Sequence, residues 1–377
     1  MRLLHLSDVH AGKNLGRVSR NEDVYYALSQ VIDFSKECRP DLILIAGDLF
    51  DKANPDNEAK EIIFDFFLKL HSLGIPSVVI SGNHDSYDFM KSIGKLLKVI
   101  NVHVFHKPDL ENGVFEFNDL KVACLPYPSE RVITAAGSES KLSYALAVEK
   151  AIKYLYKKVE NAKFKVLLSH LFIAGSKFTR TEREASISQY YAIEPSSIPE
   201  GFDYVALGHV HRYQRIEKVP SPAYYTGSLF QLDFSESGND KFFNFVELKE
   251  DSPPYVEAIK LSLKNPLHEV EMEQKDYIKS IEELKQIQGY LKVRIKVSDK
   301  TRINLVMERV REALGDKLIK IELVESIQPK KKKESSIKET LNILELYKDY
   351  FKENYGREVP QEVLKTLTEL YNSVHNG

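Results

Sequence analysis

Five short polar clusters each follow an apolar run, and their residue types are those that bind metal ions or transfer protons. The clusters are Ser7-Asp8-Val9-His10, Gly47-Asp48, Gly82-Asn83-His84-Asp85, Ser169-His170 and Gly208-His209-Val210-His211. Because the ends of parallel strands in an α/β sheet meet at one edge, we expect the five clusters to converge in space despite their separation in sequence. The glycines at positions 47, 82 and 208 are expected to let the backbone turn sharply just before each ligand.

Seven side chains in these clusters have the chemistry of metal ligands. They are Asp8, His10, Asp48, Asn83, His170, His209 and His211. Seven ligands are too many for one tetrahedral zinc, and the two oxygens of Asp48 could bridge two ions. Imidazole combined with carboxylate and amide oxygen favours manganese, iron or zinc over magnesium or calcium. Two such ions, roughly 3.5–4 Å apart, bind a phosphate and activate a water for attack.

We predict a catalytic role for His84, whose imidazole could protonate a leaving oxygen or stabilise charge on a phosphate. Asp85 could accept a hydrogen bond from the other ring nitrogen of His84 and fix its tautomer. The alternative is that His84 is a structural group beside the metal ligands. The remaining histidines lie outside any cluster and are interpreted as structural or solvent-facing: His5, His71, His103, His106, His268 and His375.

The elements that must position these clusters alternate along the chain. An amphipathic helix is predicted before Pro40, followed by a buried strand at residues 41–46 and a second helix at about 57–73. Strand and helix in alternation indicate a layered α/β fold. The aromatic-rich residues 223–248 are expected to add strands that complete a second sheet.

The composition of the 377-residue chain excludes several classes of protein. Its formal net charge is −2, so any binding of nucleic acid must use local basic patches. Cys38 and Cys124 cannot form a disulfide framework or a cysteine-based zinc site. No apolar run approaches the roughly 20 residues of a membrane span, and no signal peptide is recognisable at the start. We therefore expect a cytoplasmic protein without membrane association.

Composition shifts near residues 251–254 and 265–266 predict further domains after the core. We expect a core over residues 1–260, a small α+β capping domain over 265–328 and a linker with four lysines over 329–336. Two apolar stripes then predict a helical hairpin over 337–377. Such a hairpin is too small to bury its apolar faces alone, so it must pack on its own chain or on a partner.

The five clusters resemble the pattern of the calcineurin-like metallophosphoesterases, which is D-x-H, G-D, G-N-H-[DE], H and G-H-x-H. This resemblance covers about residues 1–250 and implies a four-layer α/β/β/α core, two metal ions and hydrolysis of a phosphomonoester or phosphodiester. By the family pattern, one ion would be held by Asp8, His10, Asp48 and His211. The other ion would be held by Asp48, Asn83, His170 and His209.

A narrower resemblance concerns the substrate. The segments LHLSDVHAGKNLG, IAGDLFD, ISGNHDS, YVALGHVH and YTGSLFQLDF resemble the SbcD nuclease family. This resemblance implies a manganese-dependent exonuclease and endonuclease that cuts DNA at double-strand ends and hairpins in repair and recombination. It also implies that the C-terminal hairpin binds the coiled coil of an SbcC-type ATPase. This chain has Asp51 where archaeal and eukaryotic relatives carry a histidine, so no catalytic role is assigned to that position.

The resemblance also implies a homodimer, and the sequence offers some support. In the predicted helix around residues 61–70, Phe64 and Leu68 fall outside the main apolar stripe, which predicts either a dimer contact or additional core. Local cations near the clusters are expected to contact DNA phosphates: Lys13, Arg17, Arg20, Lys177, Arg180 and Arg183. Two alternatives remain, a generic metallophosphatase or phosphodiesterase, and a scaffold that dimerises the ATPase.

Overall fold

The computed structural model describes residues 1–129, 142–179, 181–182, 191–325, 347–348, 351–352 and 357–367. The chain divides into two compact units, Met1–Glu325 and Ser326–Gly377. The predicted linker lies outside the described residues, and so does most of the predicted hairpin. The domain boundaries expected from the sequence therefore stay a prediction.

The described strands and helices, in chain order, have the following bounds. The strands are β1 (Arg2–Leu6), β2 (Asn14–Leu15), β3 (Val18–Ser19), β4 (Leu42–Ile45), β5 (Ser77–Ile80), β6 (Val102–Phe105), β7 (Val114–Phe117), β8 (Leu120–Leu125), β9 (Phe164–His170), β10 (Tyr204–Gly208), β11 (Gln214–Arg215), β12 (Ala223–Tyr225), β13 (Lys241–Glu247), β14 (Tyr255–Leu261), β15 (Leu267–Glu273), β16 (Tyr290–Val297) and β17 (Leu318–Glu325). The α-helices are α1 (Asn21–Cys38), α2 (Asn57–Ser72), α3 (Tyr87–Leu97), α4 (Leu142–Val159), α5 (Tyr277–Lys285) and α6 (Ile303–Leu314).

Two six-stranded sheets form the centre of the described part of unit Met1–Glu325. Their strand orders are β14-β13-β1-β4-β5-β6 and β11-β12-β10-β9-β8-β7. The inner faces pack together through residues such as Leu44 and Leu168, while α1, α2 and α3 cover the first sheet and α4 covers the second. The four-layer α/β/β/α core expected from the sequence is confirmed.

Local sequence explains where the helices begin and end. The side chain of Asp56 accepts a hydrogen bond from the backbone N–H of Ala59 and caps the start of α2. Gly74, with φ +73°, follows the end of the same helix in the left-handed conformation that glycine adopts at low cost. Helix α1 ends at Cys38, two residues before Pro40, as its sequence predicts.

A third, parallel sheet with the order β15-β16-β17 lies within residues 265–328, where the sequence predicts a small α+β capping domain. Helices α5 and α6 cover one of its faces. At one end, the sheet residues Leu267, Tyr290 and Ile319 pack against Leu15 and Phe234 of the core. This sheet therefore rests on the loop that follows the first polar cluster.

Candidate metal centre

The strand order brings the five polar clusters to one edge of the two central sheets. Strands β1, β4 and β5 are parallel neighbours in the first sheet, and β9 and β10 are parallel neighbours in the second. The backbone N–H of His209, after β10, donates to the Asp8 carboxylate after β1 at 3.1 and 3.2 Å. This contact joins the ends of the two sheets at the site.

Several residues of the site have unusual backbone conformations. Asp8, His10, Asp48 and His209 have φ values of 50°, 46°, 50° and 102°. Positive φ is uncommon for residues other than glycine and persists where the surrounding structure holds it. Backbone hydrogen bonds do so here, because the N–H groups of Asp8 and His10 donate to the carbonyls of Gly47 and Asp48, each at 3.0 Å.

Gly82 and Gly208 are required by close packing. A Cβ atom on Gly82 would collide with the Asp48 carboxylate, and one on Gly208 would collide with the carbonyl oxygen of Ala46. Neither residue has a positive φ. The expectation that these two glycines serve sharp turns is therefore corrected: they let neighbouring loops approach.

One group of predicted ligands meets around His10. Its Nε2 atom lies 3.2 Å from Nε2 of His211 and 3.8 Å from Oδ2 of Asp48. The same nitrogen of His211 lies 3.8 Å from Oδ1 of Asp8. All four side chains are almost fully buried. Their coordinating atoms thus point into one small space.

A second group meets on the other side of Asp48. Nε2 of His170 lies 3.3 Å from Oδ2 of Asp48 and 3.0 Å from Oδ1 of Asn83. Nδ1 of His209 lies 2.8 Å from the same Asn83 oxygen and 3.2 Å from Nε2 of His170. The structure thus brings all seven predicted ligands together as two groups that share Asp48.

The hydrogen bonds behind these histidines suit metal binding. Nδ1 of His170 donates to the carbonyl of Ala46 at 2.7 Å, which leaves Nε2 as the lone-pair atom facing the site. Nδ1 of His211 lies 2.6 Å from the hydroxyl of Thr181, and that hydroxyl donates to Glu236. Outer partners of this kind fix the tautomer of metal-binding histidines. The donor set therefore fits divalent cations.

The pKa shifts of the buried groups are those expected at a site that binds positive charge. Burial disfavours ionisation of Asp48, but the charges of the surrounding histidines, His170 first, hold its pKa well below the usual range. Burial likewise disfavours a charged His170, yet the Asp48 carboxylate raises its pKa to about 9. A proton on His170 therefore balances the charge of the buried Asp48 carboxylate.

Two buried glutamates lie beside His211, and neither was predicted from the sequence. Glu182 accepts from the backbone N–H of His211 at 2.9 Å, and Glu236 lies 3.5 Å from its Nδ1 atom. Glu236 also pairs with buried Lys241 at 2.6 Å. Glu236 follows the segment YTGSLFQLDF, one of the segments that carry the resemblance. This position in the sequence could have identified Glu236 as part of the site.

His84 lies beside the first group, with its ring centroid 4.8 Å from that of His10. One ligand atom each from His84, His10 and Asp48 lies within 4.8 Å of the others, so His84 also has the position of a possible ligand. The backbone N–H of His84 donates to Oδ1 of Asp48 at 2.7 Å. Its ring is therefore held at the edge of the site.

The role predicted for Asp85 as acceptor for the His84 ring needs correction. Nδ1 of His84 bonds the backbone carbonyl of Asp51 at 2.8 Å. The Asp85 carboxylate instead accepts from the backbone N–H groups of Leu49, Phe50 and Gly82 at 3.2, 3.0 and 2.9 Å. Burial and the nearby Asp48 charge raise the pKa of Asp85 to about 6. Asp85 thus ties together the two loops that carry Asp48 and His84.

The predicted DNA-contacting cations have different environments. Arg17 and Lys177 are exposed, and Lys13 forms an ion pair with Asp51 at 3.2 Å. Arg180 and Arg183 lie outside the described residues. Arg20 is only 1% exposed and bonds the Asp23 carboxylate at 2.7 Å, so the prediction that it contacts DNA is wrong.

Comparisons with known proteins agree with this site. The family described as calcineurin-like phosphoesterase matches residues 1–213. The SbcD subunit of nuclease SbcCD from Bacillus subtilis (strain 168) is 29% identical, covering 99% of this chain and 98% of its own. Its counterpart from Staphylococcus epidermidis, also an SbcD subunit of nuclease SbcCD, is 30% identical and covers 75% of each chain. A crystal structure of a dimetal phosphatase from Danio rerio covers 70% of this chain and 99% of its own at 12% identity, and its TM-score of 0.42 is too low to establish a shared fold.

The chain belongs to the calcineurin-like phosphoesterases. Two relatives of the chain are SbcD subunits of nuclease SbcCD, which confirms the narrower resemblance and the prediction of a phosphodiester-cleaving enzyme. The family and the cluster of histidines and aspartates support two divalent metal ions. Within the described part of the chain, none of the helices has the length and apolarity that crossing a bilayer requires.

Proposed function

We propose that this chain is the nuclease subunit of an SbcCD-type complex, which hydrolyses phosphodiester bonds of DNA at double-strand ends and hairpins during repair and recombination. The observation that carries the proposal is the pair of ligand groups that meet at Asp48. The similarity to an SbcD nuclease over nearly the whole chain supports the same activity.

Asp48 would help to hold both of two divalent ions. The mixed imidazole, carboxylate and amide ligands favour manganese, iron or zinc over magnesium or calcium, and manganese is the one that the resemblance implies. Bound there, the two ions would hold the phosphate and supply an activated water. The first ion would be held by Asp8, His10, Asp48 and His211. The second would be held by Asp48, Asn83, His170 and His209. The backbone of the chain contributes by fixing these side chains before substrate arrives.

His84 would act on the phosphate or on the leaving oxygen. Since Nδ1 donates to the carbonyl of Asp51, the ring is fixed in one orientation and Nε2 is the atom that would donate a proton. Its place at the edge of the metal groups is where a leaving oxygen would emerge. Asp85 would act indirectly, by holding the loops that carry Asp48 and His84.

DNA and an SbcC-type ATPase are the proposed partners. Arg17 is exposed in the turn between β2 and β3, and Lys177 is exposed in the loop after β9. Cations at these positions could hold phosphates beside the scissile one. We propose that the chain has the domains predicted from its sequence. The hairpin of residues 337–377 would bind the coiled coil of the ATPase. The cytoplasmic location expected from the sequence stays a prediction.

A homodimer is also proposed, formed through α2 and the end of α3. Leu68 on α2 is 52% exposed. Leu96 near the end of α3 is 74% exposed, and Val99 in the turn after α3 is 80% exposed. Phe64, expected at the same face, is half-buried and packs against the core. Exposed leucines on α2 and α3 are side chains that a second copy could cover.

A nuclease assay on the purified full chain tests the proposed function. With manganese, we expect cleavage of hairpin-ended duplex DNA by the wild type and by His268→Gln, a histidine on the third sheet. His84→Gln should lower kcat by about 10²–10⁴-fold while metal binding persists. Asp48→Asn should lose metal and activity together. Hydrolysis of phosphomonoesters without cleavage of DNA would favour a phosphatase, and a wild type inactive on both would favour a scaffold.

A further inference from the structure

One exposed aromatic side chain stands close to the metal centre. Phe178 is 47% exposed in the loop that leaves β9, the strand that ends at the predicted ligand His170. Exposed apolar residues are common singly and need no explanation by themselves. Two further features distinguish Phe178, the hydrogen bonds that hold its neighbours in the chain and its connection to the metal ligands.

Hydrogen bonds hold the backbone on both sides of Phe178. The side chain of Gln214 accepts from the N–H of Lys177 at 2.9 Å and donates to the carbonyl of Lys177 at 2.7 Å. On the other side, the N–H of Thr179 donates to the Glu182 carboxylate at 3.0 Å. The backbone on either side of the exposed ring is thus held by side chains, so little conformational entropy is lost when a ligand contacts the ring.

The same contacts connect Phe178 to the metal centre. Glu182, which fixes Thr179, also accepts from the backbone N–H of the predicted ligand His211. The ring of Phe178 packs edge-on against Phe172, with centroids 6.3 Å apart, and Phe172 packs against the ring of His209 at 6.5 Å. Phe178 therefore lies one aromatic ring away from a predicted metal ligand.

We infer that Phe178 is a stacking subsite for an unpaired nucleobase of the DNA strand being cut, next to the scissile phosphate. The inference rests on the proposed nuclease function. Aromatic rings bind bases by stacking whatever their identity, because every base has a π-face. Inside a duplex both faces of a base are already stacked, so only bases at ends, in hairpin loops or in frayed strands can use Phe178. Exposed Lys177 beside it suits the adjoining phosphate.

The test compares cleavage of a hairpin-ended oligonucleotide by the full chain with manganese. Phe178→Ala should reduce kcat/KM by about 5- to 150-fold, the range that loss of one stacked base gives. Phe178→Trp should keep most of the activity, and Phe178→Leu, which retains an apolar side chain without a π-face, should not. The control is Tyr255→Ala, since Tyr255 is 54% exposed but lies at the strand ends opposite the metal site.

Two further substrates separate stacking from a structural effect. A small diester of two abasic deoxyriboses joined by one phosphate carries no aromatic ring, so Phe178→Ala should hydrolyse it like the wild type. An oligonucleotide that is abasic beside the scissile phosphate should be cut equally by both proteins. Equal cleavage of intact DNA by wild type and Phe178→Ala would overturn the inference, and so would an equal loss on the small diester. A wild type that cuts no DNA at all would overturn the proposed function, and the stacking subsite with it.

Discussion

The imidazoles of the site are oriented by acceptors that lie outside the metal-binding atoms. The carbonyl of Ala46 serves His170, and Thr181 with Glu236 serves His211. Beside His10 lies the Asp51 carboxylate, whose Oδ1 atom forms an ion-pair contact of 3.3 Å with Nδ1 of the ring. This contact with His10 is a structural reason for an acidic residue at position 51, and it was not predicted from the sequence.

We expect Asp51→Ala to weaken binding of manganese by about 10- to 100-fold, the usual effect of removing an outer partner of a metal-binding histidine. Burial opposes ionisation of Asp51, but His10 and Lys13 lower its pKa to about 2, so it is a carboxylate at neutral pH. Isothermal titration calorimetry measures the affinity directly. Asp51→Asn retains an acceptor oxygen and should lose less, and exposed Asp119→Asn is the control. Unchanged affinity in Asp51→Ala would refute this role.

At the scale of elements, the sequence predicted the parts that depend on apolar periodicity. Buried strands followed by polar clusters could be read directly, as could the alternating strand of residues 290–297 in the third sheet. The burial of Arg20 could not be predicted, because its partners come from distant parts of the chain. Its guanidinium bonds the carbonyls of Gln231 and Asn265 as well as Asp23, and it lies over the ring of Tyr290.

Arg20 therefore joins the core to the third sheet, and its replacement should destabilise the protein. We expect Arg20→Met to lower the free energy of unfolding by about 3–5 kcal/mol, because the Asp23 carboxylate is left buried without its partner. Urea denaturation followed by circular dichroism measures the change. The control is Lys36→Met in the exposed pair of Lys36 with Asp33, which should change stability by less than about 1 kcal/mol. Equal effects of the two substitutions would contradict this account.

The exposed face of α2 gives a second prediction at this scale. Leu68→Glu should convert the proposed dimer to a monomer, since a buried unpaired carboxylate would oppose association. Light scattering coupled to size-exclusion chromatography reports the mass. Leu146→Glu alters a leucine of similar exposure on α4, on the opposite outer layer, and should leave the dimer intact. A wild-type mass of 43.3 kDa would remove the basis for the dimer.

At the scale of the whole molecule, two sheets were predictable, but the polar groups between them were not. His5 on β1 lies 2.9 Å from the hydroxyl of Tyr204 on β10, and Asn244 donates to the same hydroxyl. In sequence, His5 belongs to an apolar strand, and its neighbour in register on β13 is Asn244, which is distant along the chain. The pairing of β1 with β13 brings His5 and Asn244 together, and the packing of the second sheet on the first adds Tyr204.

This buried contact predicts a dependence of stability on pH. Burial lowers the pKa of His5 to about 3, against an opposing effect of the Leu207 carbonyl. Below about pH 6.5, His5 binds a proton in the unfolded chain, whereas in the folded chain it stays neutral down to about pH 3. The free energy of unfolding therefore falls as pH falls through this window. The loss at the lower end is on the order of 4 kcal/mol.

Urea denaturation at several pH values checks this prediction. His5→Gln should flatten the decline between pH 6.5 and 4 relative to the wild type, whatever its effect on stability at neutral pH. Exposed His71→Gln should keep the wild-type slope. Identical slopes for all three proteins would show that His5 does not carry the effect.

The central claim is that two groups of ligands share Asp48 and hold two ions. The most direct measurement is a crystal structure of the full chain with manganese, with anomalous diffraction collected at the manganese edge. Our account predicts two anomalous peaks, roughly 3.5–4 Å apart, on either side of the Asp48 carboxylate. A single peak, or two peaks of which neither contacts Asp48, would contradict it.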